Sequence, residues 1–128
     1  MSLVHIEGYA AIFGQPCLIG DIIEPGAFTD SLSRSMPRLL AEHRTGDKAG
    51  EWHEAFEDET GLMMRGEVLP QFVPYGGLSI GFRAMLWKPR STAKGRFLKE
   101  LELVEVSVVR TPMQKLARFA PIAERSAA

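Results

Sequence analysis

The sequence predicts a mainly β protein with a few helices (α+β). Two observations carry this. Apolar residues fall into six or seven short segments, most alternating with polar residues, and turn residues break them at short spacing. Only residues 28–35 and 113–119 have room for a helix. The chain has 128 residues, which fits one domain and is enough to bury a real core. Many short strands with little helix point to a barrel or a sandwich.

The elements follow in order. Residues 4–13 are apolar and glycine-interrupted, a first strand with a bend near Gly8. Residues 14–16 break it, and residues 18–23 give a second short strand. Glu24-Pro25-Gly26 is a turn. Residues 28–35 hold one or two helical turns, with Thr29 or Asp30 as the cap. Pro37 ends that helix, because the residue before a proline avoids the helical region. Residues 39–43 form a short strand, and the polar residues 44–50 a loop. Residues 51–57 and 62–69 make a hairpin around Asp58-Glu59-Thr60-Gly61. Residues 70–77 are a proline-bearing connector. Residues 78–87 and 96–109 are two long strands, separated by a basic loop at 88–95. Thr111-Pro112 stops the second of them, residues 113–119 start a terminal helix, and residues 124–128 fray. Residues 1–123 thus read as one domain.

Composition narrows the function classes. A net charge of -1, without a basic run, gives no field that favours nucleic acid or acidic lipid. No apolar stretch approaches the length of a membrane-spanning helix. The lone Cys17 excludes an intrachain disulfide and is compatible with a reducing cytoplasm. One cysteine and three scattered histidines lack the spacing of a zinc site, and no metal or cofactor is expected.

The most informative stretch is Tyr75-Gly76-Gly77-Leu78-Ser79-Ile80-Gly81-Phe82-Arg83. Side chains alternate along a strand, so Leu78, Ile80, Phe82, Ala84 and Leu86 share a core face. Gly77, Ser79, Gly81, Arg83 and Met85 share the other. Ser79 therefore stands on a shallow floor on which a peptide fits, with Arg83 further along it. A serine is a weak nucleophile without a base, and the histidines on offer are His5, His43 and His53. His43 ends the short strand 39–43 beside a polar loop, a good place for the mouth of a site. The simpler reading of Ser79 is a serine on the outer side of an edge strand.

In residues 96–109, Leu101, Leu103, Glu105, Ser107 and Val109 share one face, and Val104, Val106 and Val108 the other. Glu105 is bracketed by apolar residues on both faces. A carboxylate there needs a hydrogen-bonding or charged partner. That partner is a histidine, or an arginine such as Arg83 or Arg110. Gly77-Leu78-Ser79-Ile80-Gly81 also matches the G-x-S-x-G nucleophile elbow. The elbow needs a helix after the serine and a histidine later in the chain. Here the strand pattern continues and no histidine follows.

The same residues resemble the prohead proteases of tailed bacteriophages, the HK97-type enzymes distantly related to the herpesvirus maturation proteases. The resemblance runs through Gly8-Tyr9-Ala10-Ala11-Ile12-Phe13, Gly20-Asp21-Ile22-Ile23-Glu24-Pro25-Gly26-Ala27-Phe28 and Leu39-Leu40-Ala41-Glu42-His43. It continues in Gly61-Leu62, Gly77-Leu78-Ser79-Ile80-Gly81-Phe82, Leu103-Val104-Glu105-Val106-Ser107-Val108-Val109 and Pro112-Met113. It implies a small closed β-barrel of herpesvirus-protease type, flanked by helices. It implies a serine protease with Ser79 as nucleophile, His43 as base and Glu105 as the acid behind the base. Backbone amides, with Gly77 and Gly81 near the serine, or the side chains of Arg83 or Arg110, are the candidate contacts to the oxyanion or the substrate. The implied substrates are the scaffolding segment of a major capsid protein, or a separate scaffold protein, and the protease itself. The implied setting is an assembling prohead in a host cytoplasm. Association with further copies stays open. The alternative is a catalytically silent capsid-assembly or scaffold-binding domain of the same fold. The chain departs from the family in having only residues 70–76 where members usually carry an amphipathic helix.

Overall fold

The structure, a computed structural model, describes residues 2–123. The expected frayed end at 124–128 lies outside them. The described chain is mostly strand: β1 (Val4–Ile12), β2 (Ile22–Ile23), β3 (Arg38–Ala41), β4 (Arg44–Glu57), β5 (Gly61–Val68), β6 (Gly77–Pro89), β7 (Arg96–Val109) and β8 (Phe119–Pro121). One short helix, α1 (Thr29–Arg34), and a 3-10 turn at Pro70–Tyr75 interrupt them.

β7 organises the sheet. The antiparallel β6 covers one edge from Gly77↔Val109 to Pro89↔Arg96. The other edge receives β2 in parallel at Phe97 and Leu98, and β3 in parallel from Glu105 to Val108. Between them the β7 backbone bonds to the helical segment instead: the Leu101 amide donates to the Ala27 carbonyl at 3.1 Å and the Leu103 amide to Ser31 Oγ at 2.8 Å. A buried strand edge without a strand partner is thereby satisfied. The pairing then runs β3–β4–β5–β1–β8.

This path is open, and the closed barrel expected above is not what the strand pairing describes. Its two ends meet at one isolated bridge, Gly77↔Arg118, supported by Leu78 N–H to Ala117 O at 2.9 Å and Phe119 N–H to Gly76 O at 3.0 Å. Eight strands, rather than six or seven, make the sheet. The core lies inside its curve, where Ile6, Leu39, Leu62, Met64, Val68, Leu78, Leu98, Val106 and Val108 are buried. Fully burying one such side chain contributes about 1.5–3 kcal/mol.

Several expectations are corrected. Residues 44–50 are strand, because β3 turns directly into β4. Only Ile22–Ile23 of the expected 18–23 strand pairs, and Leu18 and Ile19 are exposed. No helix forms at 113–119. There the Gln114 side chain holds the Ile12 amide and carbonyl at 2.8 and 3.0 Å, as a neighbouring strand would. Phe119 then enters β8 against β1. Neither Thr29 nor Asp30 caps α1. The Glu57 carboxylate at the end of β4 accepts the Gly26 and Phe28 amides at 2.7 and 2.8 Å.

Candidate active site

β6 and β7 place the serine and the acid. Ser79 pairs across the ladder with Ser107, and Gly81 with Glu105. Between Gly81↔Glu105 and Phe82↔Leu103 the register slips, so Val104 is a bulge. The bulge corrects the face assignment made from alternation. Leu103 joins Val106 and Val108 on the core side, and Val104 is exposed. Glu105 and Ser107 face the side of Ser79. The bulge frees Glu105 from the core face of its apolar neighbours.

The histidine comes from a turn, not from a strand end. Ala41 pairs with Arg44, which leaves Glu42 and His43 as a two-residue hairpin turn. Both have positive φ, 53° and 61°, as a type I′ turn requires. Neither is glycine, so outside contacts must hold the conformation. β7 supplies them. The Glu42 amide donates to Val108 O at 3.0 Å, the Arg110 amide to Glu42 Oε1 at 2.7 Å, and the His43 amide to Ser107 Oγ at 3.1 Å.

These elements bring three side chains together. His43 Nε2 lies 3.0 Å from Ser79 Oγ, and His43 Nδ1 lies 2.6 Å from Glu105 Oε2. Ser79 and Glu105 are buried, while the imidazole is exposed on its outer side. With Nδ1–H donated to the carboxylate, Nε2 is left to accept the Ser79 hydroxyl proton. The hydrogen bond that the ring donates to Glu105 raises the His43 pKa above its ordinary value. Partial burial opposes this, and the charges of Glu105 and Glu42 add to the rise. A hydroxyl, an imidazole and a carboxylate in this order are the groups from which a nucleophile, a base and an orienting acid can be built.

The other residues singled out in the sequence go elsewhere. His5 and His53 lie on β1 and β4, each 3.5 Å from Glu67 Oε1 on β5. Arg83 is four positions from Ser79 along β6, roughly 13 Å at the rise of a strand, and pairs with Glu102 at 3.5 Å. The Arg110 guanidinium covers the Tyr75 ring at 4.0 Å. Gly77 packs under Pro112, whose Cδ would lie 2.9 Å from an added Cβ. Gly81 makes room for the Glu105 carboxylate. Two residues without an assigned role complete the site: Glu42, which ties the turn to Arg110, and Ser107. The signal for Ser107 is its i, i+2 spacing from Glu105 on a strand.

Among the described residues no group of histidine, cysteine and acidic side chains is arranged to hold a metal ion, and no helix is long and apolar enough to cross a membrane. The chain is 32% identical over 130 residues to the prohead protease of Enterobacteria phage HK97, a match covering 89% of this chain and 58% of that protein. It thus spans little more than half the length of that curated relative. Its fold is similar to that of the KSHV protease solved with a hexapeptide phosphonate inhibitor, with a TM-score of 0.67 at 13% identity over 96% of this chain and 66% of that one. It is also similar to the varicella-zoster virus protease, with a TM-score of 0.60 at 14% identity over 92% and 63% of the two chains. At such identities the likeness shows the fold, a herpesvirus-protease-like one. The family model described as caudovirus prohead serine protease matches residues 2–128, and the chain belongs to that family.

Proposed function

We propose that this chain is a serine endopeptidase of capsid maturation, with Ser79 as nucleophile, His43 as general base and Glu105 as the acid that orients it. The observation that carries this is the imidazole held between the Ser79 hydroxyl at 3.0 Å and the Glu105 carboxylate at 2.6 Å. Ser79 Oγ attacks a peptide carbonyl as its proton passes to His43 Nε2. Glu105 stabilises the imidazolium that forms. The imidazolium gives the proton to the leaving amine, the C–N bond breaks, and an acyl-enzyme remains. Water, deprotonated by the same imidazole, then releases the acid and returns Ser79. The tetrahedral intermediate also needs hydrogen-bond donors on its oxygen, each worth on the order of a hundredfold in rate.

The substrates on this reading are the scaffolding segment of the major capsid protein, or a separate scaffold protein, and the enzyme itself. The reaction takes place inside the assembling prohead in the host cytoplasm. Family membership supports this assignment of targets. Co-expression with the cognate capsid protein tests it. The expected result is a shortened capsid protein with the natural chain and a full-length one with Ser79→Ala. Equal processing by both would sink the proposal.

A further inference from the structure

Ser107 is fully buried between Val106 and Val108, at 0% exposure. A hydroxyl in such a strand is costly unless its hydrogen bonds are made, and an apolar side chain would pack there at no such cost. Both bonds of Ser107 go to the candidate site. Its oxygen accepts the His43 amide at 3.1 Å, and it lies 2.5 Å from Glu105 Oε1. An ionised carboxylate only accepts, so the single hydroxyl proton points at Glu105. Oε1 is then occupied, and Oε2 is the oxygen left for His43 Nδ1.

We infer that Ser107 is a positioning residue, a clamp that fixes the backbone of the base and the carboxylate of its partner through one oxygen atom. The inference rests on the protease reading above for its catalytic meaning. Two things need such a clamp. His43 has a positive φ that its side chain disfavours, and the Ser107 oxygen holds its amide. Glu105 has a rotatable carboxylate that must present one oxygen to the ring, and the Ser107 proton pins the other. The clamp lies directly across the ladder from Ser79, so base, acid and nucleophile are referred to one strand pair. The ionisable groups that act on the imidazole are Glu105 on β7 and Glu42 on its own turn. Ser107 touches one of them and not the other.

The test is the His43 ring titration, followed by NMR, together with kcat and KM, in the natural chain and in Ser107→Ala. Without the hydroxyl, Glu105 pulls harder on the Nδ1 proton, so the His43 midpoint moves to higher pH. The loosened ring lowers kcat roughly tenfold with KM nearly unchanged, the size expected for one lost hydrogen bond to a charged group. Ser107→Thr, which keeps the hydroxyl, returns both toward the natural values. A folded Ser107→Ala with unchanged midpoint and kcat overturns the clamp, as does a loss of stability alone. If Ser107→Ala does not fold, Ser107→Cys is read by the same criteria, because it fills the site with a weak donor. Labelling of Ser79 by a fluorophosphonate keeps the two claims apart. A natural chain that neither labels nor cuts ends the protease reading, while the ring titration still decides the clamp.

Discussion

Gly81 lies directly across the β6–β7 ladder from Glu105, and the carboxylate fills the space that any side chain at Gly81 would need. A Cβ there would sit 2.7 Å from Glu105 Cδ and 3.1 Å from Cγ, and would overlap Oε2, the oxygen on the His43 ring. Gly81→Ala is therefore expected to push Glu105 off the imidazole. Peptide cleavage should fall at least tenfold, with a stability loss of about 1–3 kcal/mol from overpacking. Turnover and urea unfolding measured on one preparation check this, and full activity in the variant would refute it.

Ser79→Ala removes the attacking oxygen while leaving the strand intact. Cleavage should fall by roughly a thousandfold or more, and labelling by a fluorophosphonate should vanish. The unfolding midpoint should stay close to that of the natural chain. Retained labelling would move the nucleophile to another residue.

Glu105→Gln keeps the shape and loses the charge. The amide no longer stabilises an imidazolium, so the His43 midpoint should drop and kcat should fall by about a hundredfold or more. NMR titration of the ring gives the first quantity and steady-state kinetics the second. A midpoint that does not move would mean that the pair is not coupled in solution.

The raised His43 pKa has consequences of opposite sign for activity and stability. The base must be neutral, so kcat/KM should rise through a midpoint above 6.5, the ordinary histidine value. The imidazolium paired with Glu105 favours the fold. Its contribution is fully present below the unfolded value of about 6.5 and is lost as pH rises through the folded value. Across that window the enzyme should gain rate and lose stability. Urea midpoints against pH, compared with His43→Ala, isolate the term. Parallel rise of both quantities would contradict the assignment.

Glu57 offers a contrast outside the site. Its carboxylate holds the two amides at the start of the helical segment. Glu57→Ala should cost about 1–2 kcal/mol, as loss of a helix cap does. The kinetic constants should change little. A large drop in kcat with unchanged stability would link the helix to the chemistry.

The long strands were legible because period-2 alternation and glycine spacing are local signals. The set His43, Ser79 and Glu105 came instead from the family resemblance, since alternation alone left three histidines open for Ser79 and a histidine or an arginine for Glu105. β7 has the boundaries that the pattern predicts. What escaped was set by distant contacts. The bulge at Val104 has no signature in a run of alternating valines, yet it decides which side Glu105 faces. The Glu42-His43 turn contains no glycine, so nothing local marks its positive φ, which β7 enforces. Residues 113–119 have the composition of a helix start, and the bonds from Gln114 to Ile12 override it. The helix cap was misplaced for the same reason, because its acceptor is Glu57 and not a neighbour.

The parallel pairing of β3 with β7 bears on timing. Arg38 meets Glu105 across most of the chain, and such a contact cannot zip up from a hairpin. Non-local pairings of this kind form slowly. A nascent chain that has already exposed its serine strand still lacks the strand that carries the carboxylate and docks the histidine turn. On the protease reading, a chain that stops short of β7 holds the serine and the histidine without the carboxylate between whose oxygen and Ser79 the ring is placed. The topology then ties the onset of cutting to the docking of β7 against β3 and β6.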